Sequence, residues 1–207
     1  MKLNLQHLQR QLEANPDNVL NLKPAIEKTA ANIIEQIESL NKIASDFSKF
    51  SKPIREPFEP ATLGSLIEGV TDLYRNDDSI SLMATINNGD STINCVSDEI
   101  RRVLINLVKN SIEASENGKC QITIRAGKRG EYVFISIRDN GTGIPVEDRD
   151  NIFVPNFSTK SSGTGLGLAI SKKIIEAHSG TINFESTTGK GTEFIITLPF
   201  NPQAQEV

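Results

Sequence analysis

Residues Ser162–Ile170 read S-G-T-G-L-G-L-A-I. Three glycines at alternate positions lead straight into an apolar helical pattern. Glycine tolerates positive φ and close backbone approach. The first amides of a helix carry no intrahelical partner and favour an anion. The segment therefore predicts a loop that opens a helix from about Gly165 to His178, with Gly163, Thr164, Gly165, Leu166 and Gly167 at its mouth. Taken alone, the pattern serves helix capping as well as it serves phosphate.

Two further segments narrow the choice. Ser97–Asn117 divides into faces. Ile100, Leu104, Leu107, Ser111 and Ala114 form an apolar or small stripe at spacings of three and four. Glu99, Arg102, Asn106, Asn110 and Glu113 lie opposite. Asparagine is a poor residue inside a helix, because its amide competes for backbone groups. Two of them one turn apart need a reason. A carboxamide oxygen is a neutral hard ligand, and it suits Mg²⁺ whose other ligands are waters and phosphates. The bland alternative is a pair of solvated amides.

The second segment, Arg138-Asp139-Asn140-Gly141-Thr142-Gly143-Ile144, ends a strand and enters a loop. A carboxylate there can accept from the exocyclic amine of adenine, where guanine presents a carbonyl. Asp-x-Gly also marks ordinary turns. Between this loop and the glycine run, Phe153, Pro155, Phe157 and Lys160 precede a Ser/Gly/Thr stretch. Ile152–Gly165 has little to bury, so a mobile flap is expected, with Lys160 supplying positive charge. All three segments together, in this order, describe a pocket for ATP.

Around them the chain reads as α+β. Residues 1–52 are expected to be helical, 53–60 a proline-bearing linker, 61–200 a mixed domain and 201–207 a tail. Leu5, Leu8 and Leu12 give the first helix its stripe, and Asn15-Pro16-Asp17-Asn18 reads as a turn. In the second helix Ile26, Ile33, Leu40 and Phe47 recur every seven residues, offset by four from Ala30, Ile37 and Ala44. Such an a/d seam on a hairpin is most simply buried by a second copy, giving a dimeric four-helix bundle. The alternative is packing within one chain. In the mixed domain, helices are expected near Thr62–Arg75, Ser97–Glu116 and Gly165–His178. Strands are expected at Ser81–Ile86, Gln121–Ala126, Tyr132–Arg138, Gly180–Glu185 and Thr192–Leu198. Helices on one face of a mixed sheet make a two-layer α/β sandwich.

Composition sets bounds. A net charge of −4 gives nucleic-acid binding no electrostatic support. Cys95 and Cys120 lack metal-ligand spacing and read as buried free thiols in a reducing compartment. No apolar run approaches the roughly 20 residues that cross a bilayer, and no signal peptide is evident.

Together the motifs resemble the catalytic ATP-binding domain of sensor histidine kinases, within the gyrase, heat-shock-chaperone and histidine-kinase ATPase superfamily. Asn106–Ala114 resembles the N box, Asp139–Gly143 the first G box, Phe153–Phe157 the F box and Gly163–Gly167 the second G box. Gly189-Lys190-Gly191-Thr192 resembles the final glycine element. The match covers roughly Phe58–Phe200, and the helical part resembles the dimerisation bundle of the nitrogen-regulation branch.

The resemblance implies a Bergerat-type fold and an ATP site. That site comprises Asn106, Asn110, Glu113, Asp139, Gly141, Gly143, Ile144, Phe157, Lys160, Gly163, Thr164, Gly165, Leu166, Gly167 and Thr192, with Asn110 on Mg²⁺. It also implies a homodimer in the cytoplasm, with any membrane anchor in other parts of the parent protein. Its chemistry is γ-phosphoryl transfer to a bundle histidine, then to an aspartate of a response-regulator receiver domain.

One departure stands out. The family's acceptor motif, His-Glu-x-x-Asn-Pro, is absent. His7 lies in H-L-Q-R and His178 in A-H-S-G, where a structural C-cap role is expected. The expectation is a chain starting just past the acceptor histidine, unable to phosphorylate itself at the usual site. Three rivals remain. A gyrase-like or mismatch-repair-like ATPase would need a glutamate four residues before the metal-binding Asn, where Asn106 stands. A sigma-factor-controlling serine kinase fits poorly with the helical half. A nucleotide-sensing dimer without chemistry is the third.

Overall fold

The computed structural model describes residues 23–24, 26–34, 37, 57–89, 91–115, 120–160 and 164–200. The chain divides into two units, Met1–Lys52 and Pro53–Val207. In the first, residues 26–34 are helical; Ile26 and Ile33 are half-buried, while Ala30 is exposed. Ile37 of the same seam stands 47% exposed. The expected first helix at Met1–Glu13 with its stripe, His7, the turn at Asn15–Asn18 and the seam residues Leu40, Ala44 and Phe47 lie outside the described residues.

The second unit is built on cross-strand rows of apolar residues. Strands β2 (Ile80–Ile86), β4 (Cys120–Arg129), β5 (Tyr132–Asp139), β6 (Thr181–Thr187) and β7 (Gly191–Pro199) form one sheet in the order β2-β4-β5-β7-β6. Only β2–β4 is parallel. Alternation puts every second side chain on one face. Ile124, Ile137, Phe194 and Phe184 then fall in one row, and Ala126, Ile135, Ile196 and Ile182 in the next. All of these are buried except the half-buried Phe184.

Among the described residues three α-helices and a short 3-10 turn (Val146–Asp148) belong to this unit. Helix α1 (Leu63–Tyr74) buries Leu63, Leu66, Ile67 and Val70, and Thr62 caps it by accepting from the Ser65 N–H at 3.1 Å. Helix α2 (Ser97–Glu113) buries Ile100, Val103, Leu104, Leu107, Val108 and Ser111. Helix α3 (Gly167–Ala177) buries Ala169, Ile170, Ser171, Ile174 and Ile175. The expected two-layer α+β arrangement is present.

Four details differ from the sequence reading. A two-stranded antiparallel pair joins β1 (Glu59–Thr62) to β3 (Thr92–Cys95). Each has four residues, too few for alternation to register, and Pro60 had placed Glu59–Pro60 in the linker; proline is tolerated on an edge strand. Val103 and Val108 widen the buried stripe of α2. Helix α3 starts two residues later than expected, because Gly165 adopts φ +65°. Ile152 is buried and the Phe153 ring sits 6.1 Å from that of Phe184, so the segment after β5 does bury apolar surface.

His178 is the C-cap of α3 and 5% exposed. Its Nε2 accepts from the Val96 N–H at 3.0 Å, so Nδ1 carries the proton and donates to the Ile174 carbonyl at 2.7 Å. Val96 is the N-cap of α2 and has no side-chain cap. The imidazole thereby ties the end of α3 to the start of α2. His178→Ala strands a buried N–H, and is expected to lower the unfolding free energy by about 1–3 kcal/mol in urea denaturation of the full chain; an unchanged midpoint would refute this tie.

Candidate functional site

The site grows from the C-terminal half of α2. Asn106, Asn110 and Glu113 follow at spacings of four and three, which stack them on one helical row. Asn106 donates from Nδ2 to Ser171 Oγ at 3.0 Å. Its Oδ1 lies where a Cβ on Gly167 would come within 2.6 Å. Glycine at 167 therefore lets the start of α3 seat directly on the Asn106 amide without displacing it. Asn110 is half-buried, and its carboxamide forms no hydrogen bond among the described residues. Glu113 accepts from the Lys160 ammonium at 2.6 Å.

Asp139 occupies the last inward position of β5, opposite Ile122, so the pleat aims its carboxyl toward the helix layer. It is 5% exposed. Oδ1 accepts from the Gly141 N–H at 2.9 Å and the Thr192 N–H at 3.0 Å. No further hydrogen bond to its other oxygen exists among the described residues.

The loop after Asp139 is stitched on both sides. The Thr142 N–H donates to the Ala114 carbonyl at 3.0 Å, just past α2, and a Cβ on Gly141 would meet that same carbonyl oxygen at 2.7 Å. On the other side Gly143, at φ +72°, rests against the Thr187 carbonyl. The Gly189 N–H donates to the Thr142 carbonyl at 2.7 Å, and the Ile144 N–H to Ser186 Oγ at 2.7 Å. Arg149 donates to the Ser186 carbonyl at 2.6 Å.

Further along, Phe157 is half-buried and Lys160 exposed. Asn156 donates its N–H to the Gly165 carbonyl at 3.0 Å. Thr164 Oγ1 accepts from the Leu166 N–H at 3.4 Å, and Leu166 is buried. Gly163 lies outside the described residues. Among the described residues no side chain caps α3, and its first turn holds no acidic residue. Its amides remain open to an anion. Three structures thus meet at the end of α2: the start of α3 through Asn106, the Asp139 loop through Ala114, and Lys160 through Glu113.

The family described as Histidine kinase-, DNA gyrase B-, and HSP90-like ATPase matches residues 95–202. The chain belongs to this family. Within it, the chain carries a sensor histidine kinase catalytic ATP-binding domain. It is 34% identical over 187 residues to the signal transduction histidine-protein kinase AtoS of Escherichia coli (strain K12), covering 88% of this chain and 31% of that protein. Sporulation kinase D of Bacillus subtilis (strain 168) is 34% identical over 173 residues, covering 81% and 34%. The catalytic domain of histidine kinase ThkA superposes with a TM-score of 0.64 at 35% identity, over 72% of this chain and all (100%) of that one. ThkA in complex with the response regulator protein TrrA matches with a TM-score of 0.71 at 28% identity, over 97% and 61%. The chain spans about a third of the length of the curated relatives it matches.

Among the residues that build this kinase-family site, sequence reading had missed Ser171, Ser186 and Arg149. Ser171 carries the one usable signal, a small polar residue on the buried face of α3. Both cysteines are buried and free. Burial pushes each thiol above the ordinary 9.0; for Cys120 a Ser115 hydrogen bond opposes this and the Asp139 charge adds to it. A pKa raised on folding means that the unfolded chain loses its thiol protons first as pH rises. Stability is expected to fall above about pH 9, and Cys120→Ala should flatten that fall in urea titrations at pH 8 and 10.

Proposed function

We propose that this chain binds Mg²⁺-ATP where α2, the Asp139 loop and the start of α3 meet, and transfers the γ-phosphoryl to a histidine. The phosphoryl then passes to an aspartate of a response-regulator receiver domain. The observation that carries this reading is the convergence on α2. A carboxamide without a partner among the described residues, a carboxylate with one oxygen fixed and a helix start with no side-chain cap among the described residues all lie on α2 or on elements bonded to it.

Each group has a task. Asp139, held by the Gly141 and Thr192 amides, offers its remaining oxygen to the exocyclic amine of adenine. Gly141 and Gly143 let the backbone approach the base, and Ile144 and Phe157 wall it. Amides from Thr164 to Gly167 serve the phosphates beside Lys160, with the Leu166 N–H exchanging Thr164 Oγ1 for phosphate on binding. Asn106 holds α3 in place beside them. Among the described residues no group of three or more acidic, His or Cys side chains could hold a metal. The free Asn110 carboxamide fits Mg²⁺, which takes most of its ligands from phosphate and water. When bound, Mg²⁺ neutralises charge on the phosphates.

Asn106 bears on the reaction type. Its amide donates to Ser171 and offers no base for water. This supports transfer over the hydrolysis of a gyrase-like clamp. The histidine must come from outside the described residues. His178 is buried with both ring nitrogens engaged, and loss of its Nε2 bond would free the start of α2. The half-exposed seam at Ile33 and Ile37 supports a homodimeric bundle as the acceptor's setting. Among the described residues no helix is long and apolar enough to cross a membrane. The domain is assigned to the cytoplasmic side, where ATP is present.

Titration with ATP, with and without Mg²⁺, tests the site. Asn110→Ala should lose the Mg²⁺-dependent part of the affinity. Asp139→Asn keeps an acceptor for the two amides but can turn a donor to the base, and should weaken ATP about tenfold or more. Unchanged affinity in both variants would count against the site. Labelled ATP should leave the chain alone unlabelled, yet yield acid-labile label on a separately supplied histidine-bearing bundle domain. Label on His7 would reverse the assignment.

A further inference from the structure

Lys160 faces two competing anions. In the structure its ammonium lies 2.6 Å from Glu113. In the nucleotide-binding reading proposed above, on which this inference rests, the same ammonium serves the phosphates. It cannot serve both at full strength.

The pair differs in kind from the other ion pairs among the described residues. Lys23–Glu27, Arg75–Asp72, Arg101–Asp98, Arg102–Glu99 and Lys172–Glu176 are all three or four residues apart. Helix geometry alone brings such pairs together. Glu113 and Lys160 are 47 residues apart, so their contact needs the segment after β5 to be placed over the last turn of α2. Glu113 also stands one turn from Asn110 on the same row, with Cβ atoms about 5–6 Å apart. A lysine side chain can swing that far by rotamer changes alone.

We propose that Glu113 is a positioning residue that parks Lys160 in the nucleotide-free protein, and that phosphate takes the ammonium from it on binding. The pair is open to solvent, with side-chain exposures of 38% for Lys160 and 55% for Glu113. Such pairs are weak, and a polyphosphate outcompetes them. The contact holds the cation close to the site at little expense in affinity.

The test is a double-mutant cycle on ATP affinity, measured calorimetrically with Mg²⁺ on the full chain: wild type, Glu113→Gln, Lys160→Met and the double variant. Glu113→Gln should tighten ATP about two- to fivefold, the range a broken exposed pair sets. Lys160→Met should weaken it. In the Lys160→Met background the Glu113→Gln gain should vanish. Weaker binding by Glu113→Gln would make the carboxylate a ligand in its own right and overturn the proposal. Equal tightening in both backgrounds would reduce it to simple repulsion, and overturn it as well. Wild-type protein that binds no ATP would sink the nucleotide reading together with this one; wild-type binding with either adverse pattern sinks only the parking role.

Discussion

Two hydrogen bonds clamp α2 at its ends: Val96 N–H to His178 Nε2, and Thr142 N–H to the Ala114 carbonyl. Between them six side chains, Ile100 to Ser111, are buried in the core. The helix cannot shift along its axis without breaking one clamp, nor rotate without lifting its apolar stripe. Asn106, Asn110 and Glu113 inherit that rigidity. A row of side chains fixed by core packing holds its geometry better than one carried on a loop.

The two walls of the site are built differently. The Asp139 side is anchored repeatedly, through Gly141, Thr142, Gly143 and Ile144 to Ala114, Thr187, Gly189 and Ser186. Gly191 adds a close fit, since any Cβ there would strike the Asp139 carbonyl. The Lys160 side is held at Asn156–Gly165 and by the exposed pair with Glu113. In the proposed ATP reading, a firmly anchored Asp139 wall suits the adenine end, which needs discrimination, and a Lys160 wall held by fewer bonds among the described residues suits the triphosphate end, which must leave changed. Preorganised dipoles cost no rearrangement at the reacting centre, while a movable cation can follow the charge.

Much of this was legible because the chain's strongest patterns are local. The alternation of β4, β5 and β7 and the three-four spacing of α2 located the main elements to within a few residues. The row of Asn106, Asn110 and Glu113 needed only helical periodicity. What escaped is long-range. Ser186 receives Ile144 across 42 residues, and no local signal marks a strand serine as the partner of a loop amide. The partnership of Val96 with His178 spans 82 residues; the sequence suggested a cap at His178 but not the helix it would hold. Strands β1 and β3 escaped because four residues carry too little periodicity, and Val108 because a helix buried between sheet and neighbours shows more than one stripe.

The identity of residue 106 ties fold to chemistry. Its amide does what a carboxylate could not do unaided: Nδ2 donates to Ser171 Oγ while Oδ1 packs on Gly167. A glutamate there would be acceptor-only when ionised, and would set its longer side chain and a negative charge against the uncapped start of α3. The N-terminal amides would then be drawn to the protein's own carboxylate rather than to phosphate. The asparagine sets no carboxylate against the helix amides, so in the proposed reading the same side chain that joins α2 to α3 leaves those amides to phosphate and places no base beside water.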